Sequence, residues 1–309
     1  MIEAEGLRKE YGGFVAVEDI SFSVEKGEIF GIIGPNGAGK TTTLKMLAGL
    51  VKPTEGSARV AEYSSSDRDM RKYLGYLPEE SPLYEEMTAI SYLNFFADLY
   101  DVSDDEAEER IHDTLDRLDL EHRNRKIGDM SKGMKRKVAI TRSLVNDPDV
   151  LIYDEPASGL DPLTTNYIID FTRELKKEGK TIIFSAHNLY HVESICDRVV
   201  MLNEGDVVAR GTLEEIRDEH GGTEYHVYAT VKFDSDIEFA RENGHYKAVV
   251  DGMEKVEEIR ESVESKGGEI VDIRTHDPSL EDIFLDVAEK GEDKGRNRAE
   301  TRTGTVEGR

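Results

Sequence analysis

Residues 28–50 constrain the fold of this chain more than any other stretch. Ile29 to Ile33 form a short apolar run typical of a buried strand, the following residues to Gly39 form a glycine-rich loop, and a helix is predicted from Thr41 onward. Gly34, Gly39, Lys40 and Thr41 satisfy the pattern G-x-x-x-x-G-K-[ST] in the strand, loop and helix setting that this pattern requires.

The chemistry of phosphate binding explains this spacing. Gly34, Gly37 and Gly39 allow backbone conformations that a Cβ atom would forbid, so that successive N–H groups can converge on phosphate oxygens. The positive end of the following helix adds to this attraction. Lys40 offers a cation to the β- and γ-phosphates, and the Thr41 hydroxyl can ligate Mg²⁺. The stretch therefore predicts a nucleoside triphosphate site.

Length and charge limit the remaining possibilities. A chain of 309 residues has room for two domains, and a hydrophobic fraction of 38% supports a packed core. Sixty-five acidic residues against 40 basic ones give a formal charge of −25. Because such a surface repels phosphates, nucleic acid is not expected as a partner. The acidity fits a salt-rich cytoplasm or an ordinary acidic protein, and both remain open.

Nothing in the sequence predicts a disulfide, a signal or a membrane span. Cys196 is the sole cysteine and is expected to be a small buried side chain. No run of about eighteen apolar residues occurs, and the N-terminus lacks the pattern of a secretory signal. The chain is expected to be cytosolic or to dock on the cytosolic side of another component.

The strands predict a mostly parallel sheet with ligands at one edge. Val150–Tyr153 is an apolar strand that delivers Asp154 and Glu155 at its carboxyl end, where open α/β sheets bind ligands. The next strand, Thr181–Phe184, is followed by His187. Because strands alternate with helices here, a parallel sheet is favoured. Upstream, strands are predicted over 2–7 and 14–24, the second from its period-two alternation.

Several polar and aromatic residues leave two interpretations open. Tyr11 is placed on a turn, either as a turn aromatic or as a platform for adenine. Ser131 is a predicted helix N-cap. The basic run at positions 132, 135, 136 and 137 is either an exposed helix face or a patch around a phosphate. Between residues 84 and 118 the pattern is helical, with one apolar stripe that includes Leu93, Ala97 and Tyr100 and another at positions 111, 115 and 118; the acidic segment 103–109 is the expected start of the second helix.

The pattern changes near residues 211–222. Residues 224–288 predict a small α+β unit with strands at 225–231 and 270–273 and helices at 253–265 and 279–287. Residues 289–309 are charged, poor in apolar residues and predicted to be disordered. The predicted domains are therefore 1–220, with a helical subdomain at about 80–145, then 221–288, and a tail at 289–309.

Over about residues 1–220, these stretches together resemble the ATP-binding subunit of ABC transporters. The resemblance implies an α/β P-loop NTPase (RecA-like) core with an antiparallel β-subdomain and an α-helical subdomain, plus the small C-terminal α+β domain. The matching motifs are the Walker A loop at Gly34–Thr42, the Q-loop at Glu79, the signature at Met130–Met134, Walker B at Leu151–Glu155, the D-loop at Ser158–Asp161, the switch histidine at His187 and the adenine-stacking aromatic at Tyr11.

Two departures from the family pattern point to a subgroup. Glu79 stands where the family usually has glutamine, and the signature reads Met-Ser-Lys-Gly-Met instead of Leu-Ser-Gly-Gly-Gln. Both departures, and residues 277–284, resemble a subgroup that serves type-2 exporters, including drug and sodium efflux systems.

The resemblance implies ATP and Mg²⁺ as ligands, with Glu155 as the base that polarises water and His187 holding the γ-phosphate. The metal ligands that it implies are Thr41, Glu79 and Asp154. The nucleotide-binding residues that it implies are Tyr11, Gly34, Pro35, Asn36, Gly37, Ala38, Gly39, Lys40, Thr41, Thr42, Ser131, Gly133 and Asp161.

The implied partners are a second copy of the chain and a membrane-embedded permease, which would hold the protein peripherally on the cytoplasmic face of the cell membrane. The segment from Glu79 to Met87 would pass the motion of the dimer to the permease. One alternative is a soluble ABC-type ATPase that acts on ribosomes or nucleic acid. The chain lacks the tandem units and cysteine-bound metal frequent in such proteins. Another alternative is a nucleotide sensor without hydrolysis, which retention of Asp154 and Glu155 disfavours.

Overall fold

A computed structural model describes residues 1–186, 188–220, 222–232, 237–242, 244–276, 278–285 and 287. The chain divides into two compact units, Met1–Thr212 and Leu213–Arg309. The domain boundary predicted after residue 220 stays a prediction, and the predicted disordered tail at 289–309 lies outside the described residues.

The first unit contains helices and strands in alternation after an initial hairpin. Its strands are β1 (Ile2–Tyr11), β2 (Phe14–Val24), β3 (Ile29–Ile33), β4 (Glu55–Val60), β5 (Tyr63–Ser64), β6 (Leu74–Leu77), β7 (Val150–Tyr153), β8 (Thr181–Ala186), β9 (Arg198–Asn203) and β10 (Asp206–Thr212). Its α-helices are α1 (Lys40–Leu47), α2 (Ala89–Leu99), α3 (Asp104–Arg117), α4 (Lys132–Arg142), α5 (Pro162–Lys177) and α6 (Leu189–Ile195), with 3₁₀ turns at Asp69–Tyr73 and Ile127–Asp129.

The central sheet has the predicted, mostly parallel arrangement. Within the described residues its strand order is β10-β9-β3-β8-β7-β6, and only the β9–β10 pair is antiparallel. Every residue of β3, β7 and β8 is buried, which explains why these strands are predominantly apolar. Because β3 and β7 both pair with β8 in parallel, the loop after β3 and the residues after β7 and β8 meet at one edge.

A second, antiparallel sheet with the order β2-β1-β4-β5 packs on α1. Ile20 and Val24 of β2 are fully buried, which confirms the buried face predicted from the alternation. Tyr11 was predicted on a turn, but it is the last residue of β1 and pairs with Phe14. The turn consists of the two glycines between them, since both have positive φ angles.

Helices α2, α3 and α4 share a separate apolar cluster, to which Leu93, Ile111 and Val138 contribute. The two helices predicted within 84–118 are present as α2 and α3, and Asp101, in a left-handed conformation with φ 56°, lies between them. Leu93 and Ala97 are buried as predicted, whereas Tyr100 is 39% exposed. None of the described helices has the length and apolar character needed to cross a membrane.

The second unit contains α7 (Leu213–His220), β11 (Glu224–Ala229), β12 (Phe239–Glu242), β13 (His245–Val250), α8 (Met253–Ser265) and β14 (Ile270–His276). Its sheet has the order β12-β13-β11-β14, and α8 covers one face through Val256, Ile259 and Val263. The predicted helix at 253–265 is present, and residues 280–285 of the predicted last helix are helical. Strands β12 and β13 were not predicted.

Candidate active site

The loop after β3 turns sharply and leads into α1. Gly34 has φ 151°, and a Cβ atom there would lie 2.2 Å from the Leu202 carbonyl oxygen, so that a side chain does not fit. Gly37 has φ 85°, and within the described part a Cβ atom there would meet nothing within 4 Å, so this side of the loop is open. Gly39 precedes α1 and contributes no side-chain cap, which leaves the positive end of the helix available to an anion.

Lys40 is turned back onto the loop that precedes it. Its Nζ atom donates to the carbonyl oxygens of Gly34 at 2.6 Å and Pro35 at 3.1 Å. The same atom lies 3.9 Å from Glu155 Oε1, and both side chains are buried. Burial lowers the pKa of Lys40, an effect that the negative charge of Glu155 opposes. A buried cation thus connects the loop with a carboxylate at the end of β7.

Asp154 and Glu155 follow β7 at the edge shared with the glycine loop, and both are buried. The Ser185 hydroxyl, at the end of β8, donates to Asp154 Oδ1 at 2.7 Å and accepts the Glu155 N–H at 2.9 Å. Among the described residues, Asp154 Oδ2 has no hydrogen-bond partner although it is buried. Because such an atom is costly to leave unpaired, its position favours a ligand that is a cation or a donor.

A cavity of about 210 Å³ lies between the glycine loop and Glu155. Glu79, which follows β6, and Phe14, at the start of β2, close its sides. The lining residues are Phe14, Ala16, Pro35, Asn36, Gly37, Ala38, Gly39, Lys40, Thr41, Thr42, Glu79 and Glu155. The structure thus brings together the predicted loop residues 35–42, the predicted metal ligands Thr41 and Glu79, and the predicted base Glu155.

Three other predicted nucleotide-binding residues form a second cluster. Ser131 caps α4, and its side chain accepts the Met134 N–H at 3.2 Å. A Cβ atom on Gly133 would lie 3.1 Å from the Thr164 side chain, and Asp161 accepts both the N–H and the hydroxyl of Thr164. None of Ser131, Gly133 and Asp161 lines the cavity around the described phosphate loop.

Tyr11 belongs to neither group. Tyr11 is 47% exposed and does not line the cavity, where the described aromatic is Phe14. His187 lies outside the described residues. The nucleotide, metal and catalytic roles assigned to all these residues stay predictions.

Three residues that contact the site were not predicted from the sequence: Arg136, Ser185 and Phe14. The basic run was interpreted as an exposed face or a phosphate patch, but Arg136 is only 7% exposed and Lys137 only 8%. Both side chains donate to carbonyl oxygens of the same chain. Ser185 and Phe14 were also missed. An aromatic residue beside a glycine pair could have drawn attention to Phe14, whereas the pattern of charges held no signal for the burial of Arg136.

A glycine loop at a helix N-terminus, a buried lysine and two carboxylates at the end of a nearby parallel strand define a P-loop nucleoside triphosphatase. Comparison with protein-family models agrees: the model described as ABC transporter matches residues 17–158, and the one described as ATP-binding protein DrrA1-3-like, C-terminal domain, matches residues 211–288.

Individual proteins give the same result. The ABC transporter ATP-binding protein NatA of Bacillus subtilis is 42% identical over 205 residues, which cover 65% of this chain and 83% of NatA. The Nod factor export ATP-binding protein I of Burkholderia orbicola is 38% identical over 213 residues, which cover 68% of this chain and 70% of that protein.

A solved structure is also similar, the dimeric structure of a post-hydrolysis state of the ATP-binding cassette MJ0796 bound to ADP and Pi. It has 26% identity and a TM-score of 0.64, and the match covers 69% of this chain and 99% of that chain. The chain belongs to the family of ABC transporter ATP-binding proteins. The predicted family, P-loop fold and ATPase class are thereby confirmed.

Proposed function

We propose that this chain hydrolyses ATP between two copies of itself and thereby drives an export permease carried on a separate chain. The observation that carries the proposal is the cavity in which Lys40, Thr41 and Glu155 lie around one space. A triphosphate placed on the loop would have its γ-phosphate nearest Lys40, with Glu155 within reach of an attacking water.

Mg²⁺ fits the donors present at this site. No cluster of three or more histidine, cysteine, aspartate or glutamate side chains in the described ranges could hold a metal ion alone. Mg²⁺ is commonly held by one or two carboxylates together with substrate phosphates. Asp154, through the Oδ2 atom that has no hydrogen-bond partner among the described residues, would hold it together with the Thr41 hydroxyl and Glu79, which both line the cavity. When bound, Mg²⁺ neutralises charge on the β- and γ-phosphates.

Glu155 is the proposed general base. Its carboxylate is buried beside Lys40, and a proton taken from water at the γ-phosphate would be accepted there. His187 is assigned to the γ-phosphate and to the orientation of that water on the family resemblance.

The separation of the two clusters supports a dimeric site. Ser131 is exposed at the start of α4, and neither it nor Gly133 reaches the cavity of its own chain. A second copy placed face to face could offer both residues, and the N-terminus of α4, to the γ-phosphate. Asp161 would lie beside them at the interface, because it accepts the Thr164 N–H, and the Thr164 side chain is near Gly133, within 3.1 Å of where a Cβ atom would be. The dimeric cassette of similar structure supports this arrangement.

A surface on the first unit suits a membrane partner. A groove of about 200 Å³ lies among β6, α2 and the end of α4, lined in part by Leu50, Tyr76, Phe96 and Tyr100. Leu50 is 55% exposed and Leu99, beside Tyr100, is 62% exposed. Large exposed apolar side chains gathered in one place mark interaction sites. A permease loop docked here would hold the chain at the cytoplasmic face of the membrane. The similarity to the Nod factor export protein supports export as the direction.

The test of hydrolysis compares phosphate release by the purified full chain with release by two variants. Glu155→Gln should lower kcat by about 10²–10⁴ while ATP still binds and holds a dimer, because only the base is lost. Lys40→Ala should abolish tight ATP binding in a fluorescence titration. Glu258→Gln, at an exposed glutamate of α8, is the matched control and should keep the parental rate. A parental rate for Glu155→Gln would refute the assignment of the base.

The test of the partner is affinity purification of a tagged chain from solubilised cells. Recovery of a membrane protein with several spans is expected. Recovery of ribosomal components in its place would favour the soluble alternative.

A further inference from the structure

Arg136 lies inside the first unit and contacts the backbone that carries the proposed base. Its Nε atom donates to the Pro156 carbonyl oxygen at 2.7 Å. Its Nη2 atom donates to the carbonyl oxygens of Asp154 at 3.0 Å and Glu155 at 2.7 Å. One side chain of α4 therefore binds three consecutive carbonyl groups after β7.

The remaining nitrogen of Arg136 reaches a different segment. Nη1 donates to the carbonyl oxygens of Pro78 at 2.7 Å and Glu79 at 3.0 Å. A guanidinium has five N–H donors in a rigid plane, and here each of the five has a carbonyl acceptor. Burial lowers the pKa of Arg136 to about 10, which leaves the side chain charged at neutral pH. A lysine, with three donors on one atom, could not span both segments.

These hydrogen bonds hold the backbone of Glu155 in an unfavourable conformation. Its φ angle is 47°, in the left-handed region that is unfavourable for a residue with a Cβ atom. The carbonyl groups of Asp154 and Glu155 orient the two peptide planes on either side of the Glu155 Cα atom. Because Arg136 binds both carbonyl groups, it holds both planes and thereby the direction in which the Glu155 side chain leaves the backbone.

We propose that Arg136 is a positioning residue that makes Glu155, the backbone at Glu79 and helix α4 move as one body. The inference rests on the proposed function, in which Glu155 is the base, and on the predicted role of the segment from Glu79 to Met87 in passing motion to the permease. A displacement of the Glu79 segment is then passed directly to the base through one side chain.

The test measures kcat and the dissociation constant of ATP separately in Arg136→Lys and Arg136→Gln. Arg136→Lys should lower kcat by about 10²-fold, the cost of a small misplacement of a catalytic group, and leave ATP binding unchanged. Arg136→Gln, whose two donors also lie on one nitrogen, should lower kcat at least as far and likewise leave ATP binding unchanged.

Lys137→Met is the matched control. Lys137 is the next residue of α4, is equally buried, and donates to the Asp119 carbonyl oxygen at 3.0 Å instead of to the site. The control should lose stability in a thermal unfolding experiment and keep the parental kcat per folded chain.

A double variant separates positioning from other effects. Arg136→Lys combined with Glu155→Gln should be no slower than Glu155→Gln alone, because Arg136 acts through Glu155. The proposal is overturned if Arg136→Lys has the parental kcat, or if it loses ATP binding or the fold together with kcat. It is also overturned if the loss of kcat in the double variant is the product of the losses in the two single variants. If Glu155→Gln itself hydrolyses ATP at the parental rate, the proposed function fails, and that outcome is seen without any variant of Arg136.

Discussion

Ser185 connects the two carboxylate residues of the site from the neighbouring strand. It is fully buried at the end of β8, where its hydroxyl donates to Asp154 and accepts the Glu155 N–H. Ser185→Ala removes both hydrogen bonds. It leaves a carboxylate oxygen and a backbone N–H without these partners in a place that solvent does not reach.

The expected loss of stability follows from those two groups. A buried polar group without its partner costs about 1–3 kcal/mol, and a charged one more, so that the variant should lose about 2–4 kcal/mol of the free energy of unfolding. That loss is large against a total of about 5–15 kcal/mol for a typical domain.

The assay is urea unfolding of the nucleotide-free full chain, followed by circular dichroism. Ser194→Ala is the matched control, since the hydroxyl of this exposed serine of α6 donates to the His191 carbonyl oxygen of its own helix. The control should change the free energy of unfolding by less than about 0.5 kcal/mol. If Ser185→Ala loses no more than the control, the two hydrogen bonds do not hold the carboxylates, and the reasoning is refuted.

Two further predictions concern the phosphate loop. Gly34→Ala would push a Cβ atom against the Leu202 carbonyl oxygen and should cost more than about 4 kcal/mol, whereas Gly37→Ala meets no described neighbour and should cost about 1–2 kcal/mol of backbone strain. Equal melting temperatures for these two variants would contradict the packing of the loop. Burial lowers the pKa of Lys40 from its ordinary value of 10.5. As pH rises and the ammonium loses its charge, kcat/KM for ATP should therefore fall at a lower pH than the one at which an ordinary lysine titrates. Lys40→Arg should remove this fall and Lys45→Arg, on the same helix, should keep it; a fall that persists in Lys40→Arg would assign it to another group.

Much of the site was predictable because its parts are local in the sequence. The pattern from Gly34 to Thr41 specifies a turn and a helix start within eight consecutive positions, so that no distant contact is needed to recognise it. The apolar run Val150–Tyr153 likewise predicts a buried strand, and its carboxyl end places Asp154 and Glu155 at a ligand edge. Alternation along β2 indicated which face of the antiparallel sheet is buried.

The second unit was predicted less completely. Helix α8 has a buried stripe at helical spacing and was identified with its bounds. Strands β12 and β13 were missed because each is short and carries polar residues, so that pairing stabilises them as strands: β13 pairs with β11, and β12 pairs with β13.

The sequence by itself determined a P-loop enzyme with a mostly parallel sheet, since glycine turns, helix starts and buried strands each depend on a few neighbouring residues. Only the tertiary structure decided that Arg136, in a charged run, is buried. Its acceptor on Pro78 is 58 positions away in the chain. Tertiary structure also decided that Ser185 joins Asp154 to Glu155 across two strands. A buried charge or hydroxyl is stabilised by partners that folding brings from distant segments, and the spacing of apolar residues in the sequence does not indicate those partners.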